Sequence, residues 1–309
     1  MEALIIVNYA LFAITLSLLT VELGVALLFL FRQEEYGDVA MGYLGSIWGI
    51  TGTFIIFFLV NFAATYPDLL PIVAAIYSAP IILFAVIIII RNSFLAYSEL
   101  IGSKKSKSLF RKVYGVSTLL IILLIISATT SIITGTAVNQ SSQTVNLAYM
   151  ILNPFNILLF VSLLALACFC VTVFFTVRNP RLFITSLTVS VLVPLIAMHA
   201  YLPYVCSSIL GNPLAFLPSA AFLVAICIMY LRRDWRARLL VIPLVFFTFL
   251  TLELLSYPYL FGGSTLITGY LTPPVSGSYV AYITVIGGTL LVVALAYFVY
   301  VQHLRKQAG

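Results

Sequence analysis

The chain consists largely of continuous apolar runs of about 20 residues, and these runs constrain its fold more than any other feature. Hydrophobic residues make up 63% of the 309 residues, and charged residues make up 8%. No water-soluble core needs so large an apolar share, and a chain crosses a membrane only as helices or as a closed barrel. Because the runs are continuous and do not alternate, they predict membrane-spanning helices. The runs place nine spans at 4–31, 41–65, 69–90, 113–135, 147–177, 182–204, 214–231, 239–257 and 278–302.

The basic residues all fall in the connections after spans one, three, five, seven and nine. There are 15 of them, and Arg91 is assigned to the second of these connections, where it ends the third run. Under the positive-inside rule, this distribution predicts an outer N-terminus and a cytoplasmic C-terminus. The first run lacks a preceding basic residue and a cleavage pattern, so we expect it to be retained as a span. The net charge of +6 is thereby explained by topology and by contact with anionic membrane lipids, and no nucleic-acid partner is expected.

Four glycines of the second span share one helical face, since they are spaced as i, i+3, i+7 and i+10. They are Gly42, Gly45, Gly49 and Gly52. In lipid, such a stripe lets another backbone come close. Trp48 lies beside the stripe and carries an N–H group that needs a partner. We predict that spans two and three form a tightly packed helical hairpin.

Two carboxyl groups are predicted to lie within spans, where a carboxyl is unfavourable unless it is neutral, paired or hydrated. Glu22 lies about two-thirds of the way through span one, and Glu253 lies near the outer end of span eight. Glu22 is interpreted as a proton-relay or cation-binding group, or as a protonated carboxyl bonded to a neighbouring helix or hydrated near the interface. For Glu253, hydration from outside is the alternative to a functional role.

Candidate metal ligands are sparse. His199, which follows Met198 near the outer end of span six, is the only haem-ligand candidate, and a hydrogen-bonded interfacial histidine is the alternative. The other histidine, His303, is predicted to lie at the opposite face. The cysteines have neither zinc nor redox spacing, so we interpret them as small apolar residues and expect no metal site. They are Cys168, Cys170, Cys206 and Cys227.

Asn153 and Pro154 interrupt the start of the fifth span. They suit a helix cap followed by proline in the first turn. The alternative is a kink inside the span that exposes backbone groups.

Three segments resemble subunit II of the cytochrome bd-type quinol oxidases. The Trp48 segment and the Tyr66-Pro67 corner after it resemble the second helix of that family. Leu-Asn-Pro-Phe, ending in Asn153, Pro154 and Phe155, matches the family's fifth helix. The segment Ser-Tyr-Pro-Tyr, which contains Tyr257, Pro258 and Tyr259, resembles the family's corner after the eighth helix. Order, spacing and a nine-helix topology agree over nearly the whole chain.

The resemblance implies an all-α integral membrane fold whose nine transmembrane helices form two four-helix bundles plus one peripheral helix. The bundles would comprise residues 1–138 and 139–277, and the ninth helix and cytoplasmic tail residues 278–309. The chain would be a non-haem subunit in a prokaryotic plasma membrane. Its partner would be subunit I, which would bind haems b and d and oxidise quinol. A structural quinone and small single-helix subunits are further expected components.

The resemblance also implies roles for particular residues. Trp48 would line a lipid or quinone site, and the glycine face would pack against subunit I. Where the family commonly has a proton-delivering Asp after the tryptophan, this chain has Gly49. Glu22 stands in for the second Asp of the family's span-one motif, whereas Glu253 has no counterpart.

Two other functions are compatible with the sequence. A proton-coupled secondary transporter would use Glu22 and Glu253 as coupling carboxyls. A quinol-interacting anchor of another respiratory complex would bind a soluble redox partner at its membrane face.

Overall fold

The computed structural model describes residues 2–100, 103–139, 142–175, 177, 179–257, 259–260, 265–271 and 275–308. Twelve α-helices contain most of these residues. The helices are α1 (Glu2–Phe31), α2 (Gln33–Thr65), α3 (Leu69–Ile76), α4 (Ser78–Leu100), α5 (Lys104–Thr134), α6 (Leu147–Leu152), α7 (Pro154–Phe174), α8 (Pro180–Tyr201), α9 (Pro203–Gly211), α10 (Leu217–Leu231), α11 (Ala237–Ser256) and α12 (Val275–Ala308). Short 3-10 helices cover Pro213–Phe216 and Ile267–Tyr270. Two antiparallel pairs join β1 (Val138–Asn139) to β2 (Thr144–Val145) and β3 (Tyr259–Leu260) to β4 (Thr265–Leu266).

Nine segments within the described residues are long and apolar enough to cross a membrane. They are Leu4–Phe31, Ile47–Thr65, Ser78–Ser98, Ser106–Thr134, Pro154–Phe174, Pro180–Tyr201, Pro213–Leu231, Ala237–Ser256 and Ser278–Tyr297. The prediction of an all-α integral membrane protein with nine spans is confirmed. The grouping into two four-helix bundles, with boundaries at residues 138 and 277, stays a prediction.

The third span lies further along the chain than predicted. The run that begins at Leu69 is broken at Tyr77, and the spanning helix α4 starts at Ser78. Pro80 explains the break, since proline fits the first turn of a helix but not its interior. Arg91 consequently lies inside α4, and its assignment to the following connection is wrong.

The predicted connection around residues 91–112 is mostly helical. α4 continues to Leu100, and α5 begins at Lys104. Ser103 caps α5, where its side chain accepts a hydrogen bond from the backbone N–H of Ser106 at 3.4 Å.

The fifth span begins at a helix cap. The side chain of Asn153 accepts a hydrogen bond from the backbone N–H of Phe155 at 2.9 Å, and Pro154 takes the first helical position of α7. The cap interpretation is therefore confirmed. The predicted start at residue 147 is wrong, because α6 is a separate helix that ends at Leu152.

Helix α1 is the most buried of the nine spans and packs against α2, α5, α7 and α11. The extensive contacts of α2 are with α1 and α12, whereas those of α4 are with α5. The predicted tight hairpin of spans two and three is therefore wrong. The break at Tyr77 separates the two helices, and each packs on a different neighbour.

Glycines permit the closest approaches to α1. A Cβ atom on Gly24 of α1 would lie 2.5 Å from Cγ2 of Val171 and 3.0 Å from the backbone oxygen of Ala167, both on α7. A Cβ atom on Gly115 of α5 would lie 3.1 Å from the backbone oxygen of Ala26. Backbone packing of this kind stabilises helix association where lipid supplies no hydrophobic drive.

Candidate functional site

A cluster of polar side chains lies in the interior between α1, α2, α4 and α5. We call it the polar cluster, and it comprises Glu22, Thr51, Arg91, Tyr114 and Thr118. Glu22 and Tyr114 are fully buried, and Arg91 is 4% exposed. The guanidinium group of Arg91 and the carboxylate of Glu22 form an ion pair. A carboxyl group inside a span is thus paired rather than isolated, as a low-dielectric environment requires.

Hydroxyl groups complete the hydrogen bonding of this ion pair. Thr51 donates from Oγ1 to Oε1 of Glu22 at 2.6 Å, and the Tyr114 hydroxyl donates to Oε2 at 3.3 Å. Arg91 donates to the Tyr114 hydroxyl at 2.8 Å and to Oγ1 of Thr118 at 3.2 Å. Its guanidinium carbon also lies 4.8 Å from the centre of the Tyr114 ring. The two charges are therefore balanced within one connected network.

Sequence reasoning singled out Glu22 but missed Arg91. The apolar run predicts a helix end at Arg91, whereas Leu95 and Ser98 beyond it are buried on the same helix. The continuation Phe-Leu-Ala after Arg91 was the available signal that the helix extends. Thr51 was likewise not among the candidate site residues, and it is a direct hydrogen-bond donor to Glu22.

Glu253 lies away from the polar cluster. It interacts electrostatically with Tyr9 on α1, and the Tyr9 ring packs edge-on against Tyr257 at 6.1 Å. Tyr9 and Glu22 are separated by about 20 Å along α1, at 1.5 Å per residue. Both carboxyl oxygens of Glu253 are buried and lack a hydrogen-bond partner in the part of the chain that the structure describes. The two acids singled out in the sequence therefore occupy separate sites.

The glycine stripe of α2 faces away from the rest of the chain. Gly42, Gly45 and Gly49 are exposed, and Gly52 is half-buried. A Cβ atom on Gly49 or Gly52 would meet nothing within 4 Å. Trp48, on the same side, is 39% exposed. This surface of α2 therefore faces lipid or another chain.

The other motif residues hold local structure. Phe155 is buried, and its ring centre lies 5.4 Å from that of Tyr201 on α8. Tyr257 follows α11, and Tyr259 pairs with Leu266 in the β3–β4 ladder. Pro258 lies outside the described residues.

A further asparagine at the fifth span escaped sequence analysis. Asn156 is fully buried, accepts a hydrogen bond from Thr130 on α5 and donates to the backbone oxygen of Met150 on α6. It therefore links α7 to α5 and α6.

His199 lies at an exposed position on α8, with Nδ1 3.8 Å from Sγ of Cys206. Within the described part of the chain, no group of three or more His, Cys, Asp or Glu side chains is placed to hold a metal ion. His199 as a haem ligand stays a prediction. All four cysteines are free, and Cys170 is fully buried.

The nine spans, the buried ion pair and the outward glycine face of α2 define a multi-pass helical membrane protein with one surface suited to another chain. The chain belongs to the cytochrome bd terminal oxidase subunit II family, whose model matches residues 2–302. A solved structure described as bd oxidase from Geobacillus thermodenitrificans has the same fold, with a TM-score of 0.76 at 16% sequence identity. The alignment covers 98% of this chain and 99% of that one. Among curated proteins, none matches the chain.

Membership confirms the resemblance found in the sequence. It makes this chain a membrane subunit of a haem-dependent quinol oxidase complex that contains a partner subunit.

Proposed function

We propose that this chain is the non-haem membrane subunit of a bd-type quinol:oxygen oxidoreductase and supports a haem-bearing subunit I. The observation that carries the proposal is the family match over residues 2–302. The small number of histidines supports a non-haem role, since the chain has only two. Haems b and d would reside in the partner, and small single-helix subunits are further proposed components. The N-terminus would lie outside and the C-terminus in the cytoplasm.

Subunit I would pack against the outward face of α2. Gly49 and Gly52 leave open space beside that helix, so a second backbone can approach it closely. Further along the same helix, Ile56 is 60% exposed and Val60 is 48% exposed. An apolar surface with small residues at one end suits helix packing within a membrane.

Trp48 would line a quinone or lipid site on this face. Its ring is partly exposed beside the open space at Gly49. An indole supplies an apolar surface together with one N–H donor, which suits a ligand with an apolar body and a carbonyl or ester oxygen.

Glu22 and Glu253 would be proton-active carboxyls of the complex. Thr51, Tyr114 and Arg91 connect Glu22 to three other helices through hydrogen bonds and an ion pair, and hydroxyl groups of this kind can pass protons. Glu253 has two buried, unpartnered carboxyl oxygens at the other end of α1. The two residues would act at separate points because their sites are far apart.

Purification in mild detergent through a tag on this chain, followed by a reduced-minus-oxidised visible spectrum, tests the proposal. Haem bands, a second histidine-bearing membrane polypeptide and quinol-driven oxygen uptake are the expected result. A colourless chain that is intact and alone would overturn it. That outcome would favour a transporter in which Glu22 and Glu253 couple proton movement.

A further inference from the structure

A cavity of about 580 Å³ lies between α1, α2, α11 and α12 and is partly open at the surface of the chain. Its walls are apolar, and they include Val7 and Ile14 on α1, Phe54 on α2, Phe246 on α11 and Leu295 on α12. A volume of this size is within the range of ligand-binding pockets. The polar cluster does not take part in it, and Trp48 is not among the described residues that line it.

The charged group in the lining is Arg238, at the second position of α11. Its Nε atom is buried and has no hydrogen-bond partner among the described residues. Within the described residues no carboxylate pairs with Arg238, and its hydrogen-bonding neighbour is the hydroxyl of the buried Tyr43. A cation at the start of a helix is also unfavourable to the helix dipole unless an anion lies nearby. The Nε–H group of Arg238 is therefore an unused hydrogen-bond donor at one end of an apolar cavity.

The threonines in the lining do not supply a competing polar site. Thr284 donates to the backbone oxygen of Val280 at 2.7 Å and accepts from Asn61 at 2.6 Å. Thr289 donates to the backbone oxygen of Val285 at 2.8 Å. Since these hydroxyls are satisfied within the chain, the ligand needs one anionic group at Arg238 and an apolar remainder.

The cavity runs along the membrane-spanning helices. The lining of α11 runs from Arg238 to Phe247 and that of α12 from Thr284 to Ala296, which correspond to about 14 Å and about 18 Å at 1.5 Å per residue. The lining also includes Ile6 and Val7 near the start of α1, a region that packs at the other end of α11 from Arg238. Half of the hydrocarbon core is about 15 Å thick, so the cavity is long enough for one extended acyl chain. Arg238 lies at the end of the bundle where α11 begins, and Arg232, Arg233 and Arg236 are exposed at that same end.

We propose that this cavity binds an anionic phospholipid, with one acyl chain between α11 and α12 and the phosphate on Arg238. The apolar walls accept an acyl chain, and the guanidinium, which has no carboxylate partner among the described residues, selects a negative head group. Such a lipid would fill the space between α1 and α12 and hold the last span in place. The proposal concerns the lipid-facing side of this chain and does not depend on its proposed role in an oxidase.

Spin-labelled phospholipids test the proposal on the complex purified from its membrane and placed in phosphatidylcholine nanodiscs. Electron paramagnetic resonance would compare immobilised phosphatidylglycerol with immobilised phosphatidylcholine of the same acyl chains. We expect the anionic lipid to be preferred about fivefold. This comparison uses the unaltered protein, so equal immobilisation of the two lipids would overturn the proposal directly.

Three variants locate the site. Arg238→Gln is expected to remove the preference for phosphatidylglycerol, whereas Arg236→Gln, at an exposed position outside the cavity, is expected to retain it. Thr289→Phe places a bulky ring in the cavity, so neither phosphatidylglycerol nor phosphatidylcholine is expected to be immobilised there. Equal losses in Arg238→Gln and Arg236→Gln would mean that surface charge alone attracts the lipid. Recovery of a quinone that is lost in Thr289→Phe but kept in Arg238→Gln would assign the cavity to that ligand and overturn the phospholipid.

Discussion

Glu22 on α1 and Arg91 on α4 form an ion pair in the interior of the helical bundle, and both side chains are at most 5% exposed. The pair is joined by Thr51 from α2 and Tyr114 from α5. Four helices are therefore connected by groups whose charges and hydrogen bonds depend on one another. Removing one member leaves its partners unsatisfied in a low-dielectric interior.

Loss of one charge of the pair is expected to destabilise the protein strongly. Arg91→Leu leaves the Glu22 carboxylate without its counter-charge, which costs about 3–5 kcal/mol in buried pairs. The double variant Glu22→Leu/Arg91→Leu removes both charges and should recover most of the loss. Thermal unfolding of the purified protein in detergent would measure both effects, with Arg232→Leu at an exposed position as the control. A double variant as unstable as Arg91→Leu would contradict the ion-pair account.

Under the proposed function, Glu22→Gln should slow oxygen consumption at saturating quinol without dissociating the subunits. The carbonyl oxygen of glutamine can still accept the hydrogen bond from Thr51, but the side chain does not take up and release a proton. Glu22→Asp retains the charge for Arg91 and should keep more of the turnover. The exposed Glu34→Gln serves as the control. Unchanged turnover in Glu22→Gln would leave Glu22 with a structural role only.

Glu253→Leu is expected to stabilise the protein. Both carboxyl oxygens of Glu253 are buried and have no hydrogen-bond partner among the described residues, and a buried polar group in this condition costs about 1–3 kcal/mol. Glu253→Gln should give little of this gain, since its amide is equally unpartnered. The midpoint of thermal unfolding distinguishes the two variants. A lower midpoint for Glu253→Leu would show that the carboxyl has a stabilising partner in the assembled complex.

A methyl group at Gly24 is expected to push α1 away from α7. In Gly24→Ala the new Cβ atom would lie 3.0 Å from the backbone oxygen of Ala167, which cannot rotate aside. Overpacking of this kind costs about 1–3 kcal/mol. Gly49→Ala is the matched control, because its Cβ atom meets nothing within 4 Å in this chain. Equal thermal stability of the two variants would contradict the close packing of α1 on α7.

Bulk on the outward face of α2 should weaken association with the proposed subunit I. Gly49→Leu and Gly52→Leu fill the space that a partner backbone would need, while the fold of this chain has room for them. Co-purification of the partner through a tag on this chain would measure the loss. Ala200→Leu adds similar bulk at an exposed position of α8 and should leave the partner bound. Full recovery of the partner with Gly52→Leu would place its contact elsewhere.

Much of the architecture could be predicted from local patterns. The apolar runs predicted nine spans, and the structure has nine candidate spans in its described residues. The Asn153-Pro154 pair predicted a helix start, since capping depends on neighbours in the chain. The spacing of four glycines predicted a shared face of α2, on which Gly42, Gly45 and Gly49 are exposed and Gly52 is half-buried. The position of Glu22 in an apolar run indicated a buried carboxyl, which is fully buried.

Only the tertiary structure decided which helices meet and which side chains pair. The apolar run before Arg91 predicted a helix end at that residue. Helix α4 instead continues past Arg91 and places its side chain against Glu22. The sequence also predicted a hairpin of spans two and three, whereas α2 packs on α1 and α12. Arg238 faces an apolar cavity formed by helices from both ends of the chain. Hydropathy, periodicity and caps depend on residues close together in the chain, so the sequence by itself determined the elements. Ion pairs, helix neighbours and cavities depend on residues far apart in the chain, so they were settled only when the helices packed together.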